Sequence, residues 1–341
     1  MKNVAFYDSI PDFFYKLNQE NVLGYLDEMS LFFHKGAIDK TVVISTMLHG
    51  NETSGLYAIQ KFLKAQEGKA NRPSYAILLG NPRAFQSNKR LVGGQLDRNR
   101  IWELDGNHED HALSRQVIER LINYPLVCAI DIHNNTGKNP YFCCVNRLDQ
   151  KTLGMASLFD ADALFFEDPA TAFTTFMGRF CPSVTLECGM SGDELGILKA
   201  VKFIKEATHF ALADHLDKLV FKKSVFKSFG KFKIPKETKI SFISPGQEIS
   251  TLSNSQGVAF FSDLEKFNLK LVPEGTSLGF IHGSLNQVNI QSEFEEDLFS
   301  ELFLIEKQNL IVKNDFYAAM VTKDVEVAKA DCFFYFLKKV L

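Results

Sequence analysis

The sequence predicts an α/β fold, with a largely parallel sheet flanked by helices and a smaller all-β domain at the C-terminal end. Up to about residue 220, short apolar, β-branched segments alternate with amphipathic segments of helical spacing, and this alternation is typical of a parallel sheet. Beyond that point come short alternating runs separated by turn signals, such as those at 244–246 and 273–275, which are typical of a small all-β domain. We therefore expect domains at 1–220 and 221–341.

The predicted elements of the first domain follow one another as strands and helices. Residues 41–48 form an apolar run that predicts a buried strand, and 53–65 carry apolar residues at helical spacing. The further predicted elements are a strand at 74–79, a helix at 111–123, strands at 126–132 and 183–186, and a helix at 192–219 with a buried face of Leu195, Leu198, Phe203, Ile204, Phe210 and Leu216.

Composition and charge are those of a globular protein. Hydrophobic residues make up 45% of the 341 residues, charged residues 23%, and the net charge is −3. These values give no reason to expect a nucleic acid or an anionic membrane as partner. The 32 phenylalanines are interpreted as core filling, and the lysine-rich stretch 221–239 as a solvated linker.

Neither a membrane span nor an export signal is evident. No apolar run reaches the roughly 18 residues of a transmembrane helix, and residues 1–20 lack the apolar core of a secretory signal. The six cysteines include no CxxC pair. Free thiols and a cytoplasmic location are therefore expected.

Three reactive side chains follow predicted strands. His49, His133 and Glu187 each come one or two residues after a predicted strand end. Because ligands bind at the carboxyl ends of the strands in such sheets, these residues are expected to meet. Glu52 lies three residues after His49, in a turn that can direct both side chains at one centre. Two histidines and a glutamate are a common ligand set for catalytic zinc, and Glu187, beside apolar residues, suits a base that works near neutral pH.

Further polar residues near these segments have other interpretations. Asp131 is two residues before His133 on the same strand face, so it is expected to orient that ligand by a hydrogen bond. His108 and His111 form an HxxH pair without an evident third ligand and are interpreted as exposed capping residues.

Four short segments follow one another along the chain: His49-Gly50-Asn51-Glu52, Asp97-Arg98-Asn99-Arg100, Asp131-Ile132-His133-Asn134 and Thr185-Leu186-Glu187-Cys188-Gly189. In this order they resemble the succinylglutamate desuccinylase/aspartoacylase family of zinc-dependent deacylases, which is related to the zinc carboxypeptidases. The resemblance implies a zinc-carboxypeptidase-like fold and one Zn²⁺ per chain, with His49, Glu52 and His133 as the metal ligands.

The resemblance also implies roles for the polar residues around the metal. Glu187 matches the catalytic glutamate, and Arg90 the arginine that polarises the scissile carbonyl. Asn99 and Arg100 match the pair that holds a substrate carboxylate, a task that suits a planar guanidinium. Asn134 is expected to bind substrate as well. Two other arginines stand apart: Arg98 is expected to be solvated, and Arg179 is out of register with a further substrate-binding arginine of the aspartoacylase branch.

These implications define the expected function. The chain would be a zinc-dependent hydrolase that cleaves the amide bond of a small N-acyl amino acid, with Glu187 assisting the attack of zinc-bound water. Two alternatives remain open at this stage: a metallocarboxypeptidase acting on short peptides, and a zinc-stabilised binding protein without catalysis. The expected partner is the small-molecule substrate. The oligomeric state is open, a homo-oligomer included.

Overall fold

The chain folds into two compact units. The computed structural model describes residues 2–103, 105–167, 169–247, 257–282, 289–292, 298–330 and 332–341. The first unit comprises Met1–Asn134 and Tyr141–Lys223, and the second comprises Asn135–Pro140 and Ser224–Leu341. The main boundary thus falls at Ser224 rather than at residue 221. No sequence pattern assigned the short segment 135–140 to the second unit.

A mixed, largely parallel sheet forms the centre of the first unit. Its strands are β1 (Ala5–Tyr7), β2 (Ser30–His34), β3 (Ile38–Thr46), β4 (Pro73–Leu79), β5 (Leu126–Asn135), β6 (Phe142–Val145), β7 (Asp162–Phe165) and β8 (Ser183–Met190). Among the described residues their order is β1-β2-β4-β3-β5-β8-β6-β7. β3 is parallel to both β4 and β5, whereas β2–β4 and β6–β8 are antiparallel. The predicted α/β class is confirmed.

Six α-helices accompany this sheet in the described part of the first unit. They are α1 (Ser54–Lys64), α2 (Pro82–Gln86), α3 (Glu109–Leu121), α4 (Gln150–Ser157), α5 (Phe173–Met177) and α6 (Glu194–Leu212). No helix in the described ranges is both long and apolar enough to cross a lipid bilayer.

The predicted extent and buried face of α6 are both wrong in part. The helix ends at Leu212, soon before Asp214 takes a left-handed φ of 52°. Leu195 and Leu198 are 56% and 54% exposed, whereas Ile197 and Ala200 are buried. α6 packs against α1 and β8, and its buried stripe combines small residues with the predicted Phe203 and Ile204: Gly196, Ile197, Ala200, Phe203, Ile204, Ala207, Thr208 and Ala211.

Two of the strands that carry reactive side chains are longer than predicted. His133 and Glu187 lie inside β5 and β8 rather than beyond their ends. Glu187 is paired opposite Phe142 in the antiparallel β6–β8 ladder, which extends β8 past the predicted end. β3 instead stops at Thr46, where Met47 takes a φ of 58° and turns the chain toward His49.

A close approach of α1 to the sheet fixes where the turn after β3 lies. A Cβ added at Gly55 would lie 1.9 Å from the Thr46 Oγ1 atom and 3.1 Å from the Ile132 Cβ atom. Only glycine permits this distance. The first turn of α1, and with it the segment His49–Glu52, is thereby held against β3 and β5.

The second unit is mainly β-structure. Its strands are β9 (Val225–Lys233), β10 (Ile240–Ile243), β11 (Gly257–Phe261), β12 (Lys270–Val272), β13 (Ser277–His282), β14 (Asn289–Ser292), β15 (Phe303–Glu306), β16 (Asn309–Val312), β17 (Phe316–Ala319) and β18 (Phe334–Lys339), with short helices α7 (Leu298–Leu302) and α8 (Val325–Ala330). Within this unit β14-β9-β18-β17-β12 form one sheet and β10-β11-β13-β16-β15 another.

The lysine-rich stretch at the start of this unit is not a linker. Within β9, Phe226, Ser228, Gly230 and Phe232 are buried, whereas the lysines between them are half-buried. This period of two is that of a strand with one face toward a core. The lysines misled the interpretation because they occupy the outward positions of that strand.

Phenylalanine fills the core of the second unit. The ring of Phe232 has its centroid within 6.1 Å of those of Phe260, Phe303, Phe333 and Phe334. All five side chains are buried. The biased aromatic composition is therefore explained here by packing.

Truncation at the centre of this cluster is expected to destabilise the second unit. Phe232→Ala should lower the free energy of unfolding by about 3–5 kcal/mol, because it leaves a cavity among rings that cannot collapse fully. Leu271→Ala on β12, where the side chain is 40% exposed, is the control and should cost less than about 1 kcal/mol. Denaturant unfolding measures both; equal losses would contradict the assigned core.

Candidate metal centre

Two imidazoles and a carboxylate converge at a buried point of the first unit. The ligand atoms of His49, Glu52 and His133 all lie within 4.8 Å of one another. The Nδ1 atom of His49 is 2.8 Å from Glu52 Oε1, and the Nδ1 atom of His133 is 2.7 Å from Glu52 Oε2. The two rings thus face one carboxylate through the same ring nitrogen.

On the side of each ring away from Glu52, the Nε2 atom contacts an aspartate. The Nε2 atom of His49 lies 3.0 Å from Asp97 Oδ1, and that of His133 lies 2.6 Å from Asp131 Oδ2. An ionised carboxylate only accepts, so both Nε2 atoms carry a proton and donate it. Asp131 lies where the two-residue spacing predicted. The role of Asp97 escaped the sequence analysis because 48 residues separate it from His49.

This arrangement fits a bound cation. With both Nε2 atoms protonated, a neutral ring would direct its Nδ1 lone pair at an oxygen of Glu52, so positive charge has to lie between them, either as a cation or as a proton on Nδ1. Burial disfavours an imidazolium at His133, yet Asp131 and Glu52 raise its pKa well above the usual value. Burial would also raise the pKa of Glu52, but His49 and His133 hold it well below its ordinary value. Two imidazoles and a carboxylate suit Zn²⁺.

Glu187 supplies a separate carboxyl group near this point. Its side chain keeps some solvent access, but its Oε2 atom is buried and makes no hydrogen bond to the described residues. Burial raises the pKa of Glu187 to about 8; the charges of Glu52 and Asp131 act in the same direction, against His133 and Arg90. A carboxyl group with one buried, unpaired oxygen and a raised pKa is typical of a proton-transferring group.

Asp97 links the histidine to the arginines that the sequence singled out. Arg90 Nη2 donates to Asp97 Oδ2 at 2.8 Å, while the other carboxylate oxygen faces His49. Burial would raise the pKa of Asp97, but His49, Arg90 and Arg100 together hold it well below its usual range. One ionised aspartate therefore holds a ring and a guanidinium at the same time.

The loop that carries Asn99 is fixed by main-chain contacts. Asn99 Oδ1 accepts the N–H of Phe173 at 2.9 Å, and the Asn99 carbonyl accepts from Arg100 Nη1 at 2.8 Å. Arg179 lies elsewhere: it precedes the start of β8, at the end of that strand away from Glu187, and its guanidinium is 5.0 Å from the ring centroid of Phe176.

The expectation that Arg98 is solvated is wrong. Its side chain is fully buried, with Nη2 2.9 Å from Glu28 Oε1 and Nη1 3.3 Å from Asp110 Oδ1. Glu28 is 70 residues away in sequence, so no local pattern could indicate this partner. Alternate arginines of the loop thus have different environments, with Arg98 in the interior and Arg100 half-buried.

The two histidines of the HxxH pair differ from one another. His108 caps α3 by accepting the N–H of Asp110, as expected. His111 is only 6% exposed, and its Nε2 atom lies 3.3 Å from Glu103 Oε1. The interpretation of His111 as an exposed residue is therefore wrong, because this third residue of α3 lies on the buried face of the helix.

The structure gives Asn134 a setting different from the expected substrate contact. Its Oδ1 atom accepts the N–H of Ser54 at 3.1 Å. Its Nδ2 atom lies 2.9 Å from Ser54 Oγ, 3.0 Å from the carbonyl of Gly189 and 3.2 Å from that of Met190. The residue is 5% exposed. Both polar atoms of the amide are therefore engaged in contacts inside the protein.

Comparison with known families agrees with this geometry. The family model of the succinylglutamate desuccinylase/aspartoacylase catalytic domain matches residues 38–208. Those 171 residues are half of the 341-residue chain, and they include the segments that carry His49, Glu52, His133 and Glu187. The chain belongs to the succinylglutamate desuccinylase/aspartoacylase family.

Individual relatives are distant. A probable aspartoacylase of Prochlorococcus marinus (strain MIT 9301) is 28% identical over 105 residues, which cover 28% of this chain and 34% of that protein. A second, from strain MIT 9215, is 27% identical over 107 residues, covering 28% of this chain and 35% of that protein. The matched part thus spans about a third of the length of these relatives.

Solved structures share the fold over most of the chain. A succinylglutamate desuccinylase/aspartoacylase from Rhodobacter sphaeroides has a TM-score of 0.59 at 15% identity, covering 90% of this chain and 88% of its own. Murine aminoacylase 3 has a TM-score of 0.58 at 13% identity, covering 89% and 96%. At such identities the likeness shows the fold alone.

The buried carboxyl of Glu187 is expected to make the metal-free protein sensitive to alkali. Its folded-state pKa of about 8 exceeds the ordinary value of 4.5. The stability that follows from the neutral carboxyl is therefore complete below pH 4.5 and is lost as the pH rises through 8. Glutamine stays neutral, so Glu187→Gln should stabilise the metal-free protein by a few kcal/mol at pH 9 and have little effect at pH 4.5.

Thermal unfolding in the presence of a chelator at both pH values measures this difference. Glu119→Gln is the control, because Glu119 is exposed on α3 and water screens its charge. A gain in Glu187→Gln that is the same at both pH values would contradict the assignment.

Proposed function

We propose that the protein is a zinc-dependent hydrolase that cleaves the amide bond of a small N-acyl amino acid. The observation that carries the proposal is the convergence of His49, Glu52 and His133 at one buried point, with the unpaired carboxyl of Glu187 close by. Membership of the desuccinylase/aspartoacylase family supports the same class of reaction.

His49, Glu52 and His133 would hold the zinc ion. Asp97 and Asp131 fix the rings in the tautomer that directs Nδ1 inward, which raises the basicity of the ligands. A bound zinc ion polarises a carbonyl and lowers the pKa of water.

Glu187 is the proton carrier in this proposal. It takes a proton from the water molecule whose oxygen adds to the amide carbonyl carbon. When the C–N bond breaks, Glu187 gives that proton to the leaving nitrogen and returns to its initial ionisation state. The products are a carboxylic acid and the free amine of an amino acid.

Two arginines would bind the charges of the substrate. Arg90, held by Asp97, stabilises the negative charge that develops on the carbonyl oxygen. Arg100 pairs with the carboxylate of the amino acid, since a planar guanidinium binds a carboxylate through two hydrogen bonds. Asn99 holds the loop and contributes to the same subsite. A substrate with a free carboxylate follows from these residues.

Removal of the proton carrier should abolish turnover without loss of metal. Glu187→Gln should keep wild-type zinc content and lose kcat by about 10²–10⁴-fold, the usual contribution of a general base. Steady-state kinetics and elemental analysis measure the two quantities, with Glu119→Gln as the control. Normal turnover in Glu187→Gln would refute the role of the glutamate.

Removal of one ligand should release the metal. His133→Ala should lose most of the bound zinc, because only two protein ligands remain. His209→Ala, at an exposed position on α6, is the matched control and should retain it. Elemental analysis after dialysis decides between them; stoichiometric zinc in His133→Ala would mean that another residue completes the site.

A substrate panel tests the function itself. The zinc-loaded protein is assayed with N-acetyl, N-succinyl and N-formyl amino acids and with short peptides, and amine release is measured. Turnover of N-acyl amino acids is expected. Preference for the peptides would favour a metallocarboxypeptidase, and no turnover by the fully loaded protein would favour a non-catalytic zinc protein.

A further inference from the structure

We propose that Asn134 is a positioning residue, which locks the end of β8 to the start of α1 and so holds Glu187 in register with the metal ligands. This inference rests on the proposed function for its kinetic consequences. It replaces the expected role of Asn134 in substrate binding with a role that its contacts support.

The first observation is the number of contacts that one buried amide makes. Asn134 Oδ1 accepts the N–H of Ser54, one of the N-terminal amides of α1 that has no partner within the helix. Its Nδ2 atom faces Ser54 Oγ on one side and the carbonyls of Cys188, Gly189 and Met190 on the other. A single side chain therefore joins α1 to β8.

A second set of contacts joins the same two segments. The N–H of Gly192 donates to Ser54 Oγ at 3.2 Å. The N–H of Thr53 donates to Ser191 Oγ at 3.1 Å, and the two hydroxyls lie 2.8 Å apart. The start of α1 and the turn after β8 thus form one hydrogen-bonded junction, with Asn134 at its centre.

The junction lies within two residues of two of the proposed metal ligands and of the proton carrier. Asn134 follows the ligand His133 directly, Ser54 comes two residues after the ligand Glu52, and Gly189 comes two residues after Glu187. Since successive side chains of a strand point to opposite faces, His133 can face the metal centre while Asn134 faces the junction. A shift of the junction must therefore move the proton carrier relative to the ligands.

The turn after Glu187 depends on such an anchor. Gly189 and Gly192 have φ values of 71° and 80°, a left-handed conformation that glycine adopts without steric strain. Glycine has many other conformations available to it, so holding the backbone of this turn in one conformation costs conformational entropy. The amide of Asn134 contacts the carbonyls on both sides of Gly189, and the carbonyl of Met190 also accepts the N–H of Asp193 at 3.0 Å.

Replacing Asn134 by aspartate, which has nearly the same shape, distinguishes the hydrogen bonds of the amide from its packing. In Asn134→Asp the retained Oδ1 can still accept the N–H of Ser54, but an oxygen takes the place of Nδ2 and faces three carbonyl oxygens. The variant therefore repels the β8 side of the junction while it preserves the α1 side. Asn134→Ala removes both sides.

Asn146, which directly follows β6, offers a matched control because its amide contacts the other end of β8. Asn146 Nδ2 donates to Ser183 Oγ at 2.8 Å and to the carbonyl of Thr174. Asn146→Asp is the same chemical change in a side chain that contacts β8 at its first residue, Ser183, at the end of the strand away from Glu187. A merely structural effect on β8 should appear equally in both variants.

The experiment measures bound zinc, kcat, KM and amide hydrogen exchange for wild type, Asn134→Asp, Asn134→Ala and Asn146→Asp. In Asn134→Asp we expect kcat per zinc-loaded chain to fall about 10–100-fold, the effect of a misplacement of about 1 Å, with KM within threefold of wild type. Asn146→Asp should keep kcat within threefold, whatever its loss of thermal stability.

Hydrogen exchange supplies a readout that needs no turnover. The amide of Gly192 should exchange about tenfold faster in both Asn134 variants, and that of Ser54 only in Asn134→Ala, because local opening follows the loss of each contact. Asn146→Asp should leave both amides at the wild-type rate.

The outcomes distinguish failure of this inference from failure of the proposed function. Wild-type kcat in folded, zinc-loaded Asn134→Asp, an equal kcat loss in Asn146→Asp, or unchanged exchange at Gly192 in both Asn134 variants would each overturn it. If wild type hydrolyses no substrate, the proposed function fails, and the exchange rates alone decide whether Asn134 holds the junction.

Discussion

The geometry of the candidate metal centre depends on the carboxylate of Glu52, which contacts both His49 and His133. Two imidazoles face its two oxygens through Nδ1, and each ring is fixed from behind by an aspartate. Burying this many acidic groups together is unfavourable unless positive charge is present. The histidines, the nearby arginines and a divalent ion are the groups that can supply it. The fold therefore creates a site with a strong preference for a cation.

Asp97 extends this constraint from the metal centre to the proposed substrate site. It receives a hydrogen bond from the ring of His49 and another from Arg90. Because the same carboxylate orients a ligand and a guanidinium, the position of the arginine is tied to that of the ion it would assist. A charged group that is already in position before the reaction needs no reorganisation during it, which is the basis of electrostatic preorganisation.

Much of the fold and centre could be predicted from local patterns, because their signals are local. Apolar β-branched runs indicated β3, β4 and β5, and the spacing of His49 with Glu52 and of Asp131 with His133 indicated contacts within three residues. The partner of Asp97, the burial of Arg98 and the internal contacts of Asn134 were missed because their partners are distant in sequence. The face of α6 was predicted in part: Phe203 and Ile204 are buried as expected, whereas Ile197 and Ala200 take the buried positions expected of Leu195 and Leu198.

Because Arg98 is buried and Arg100 is half-buried, substitutions at these two arginines are expected to have different consequences. Glu28 and Asp110 are both largely inaccessible and share this one guanidinium, so its loss leaves Glu28 without its cation and Asp110 with Lys2 as its remaining cationic contact. A change at Arg98 would lower the amount of folded protein in a cell, whereas a change at Arg100 would affect the substrate binding proposed for it and leave the fold intact. Substitutions at Arg98 and at Arg100 would thus reduce activity in the cell for different physical reasons.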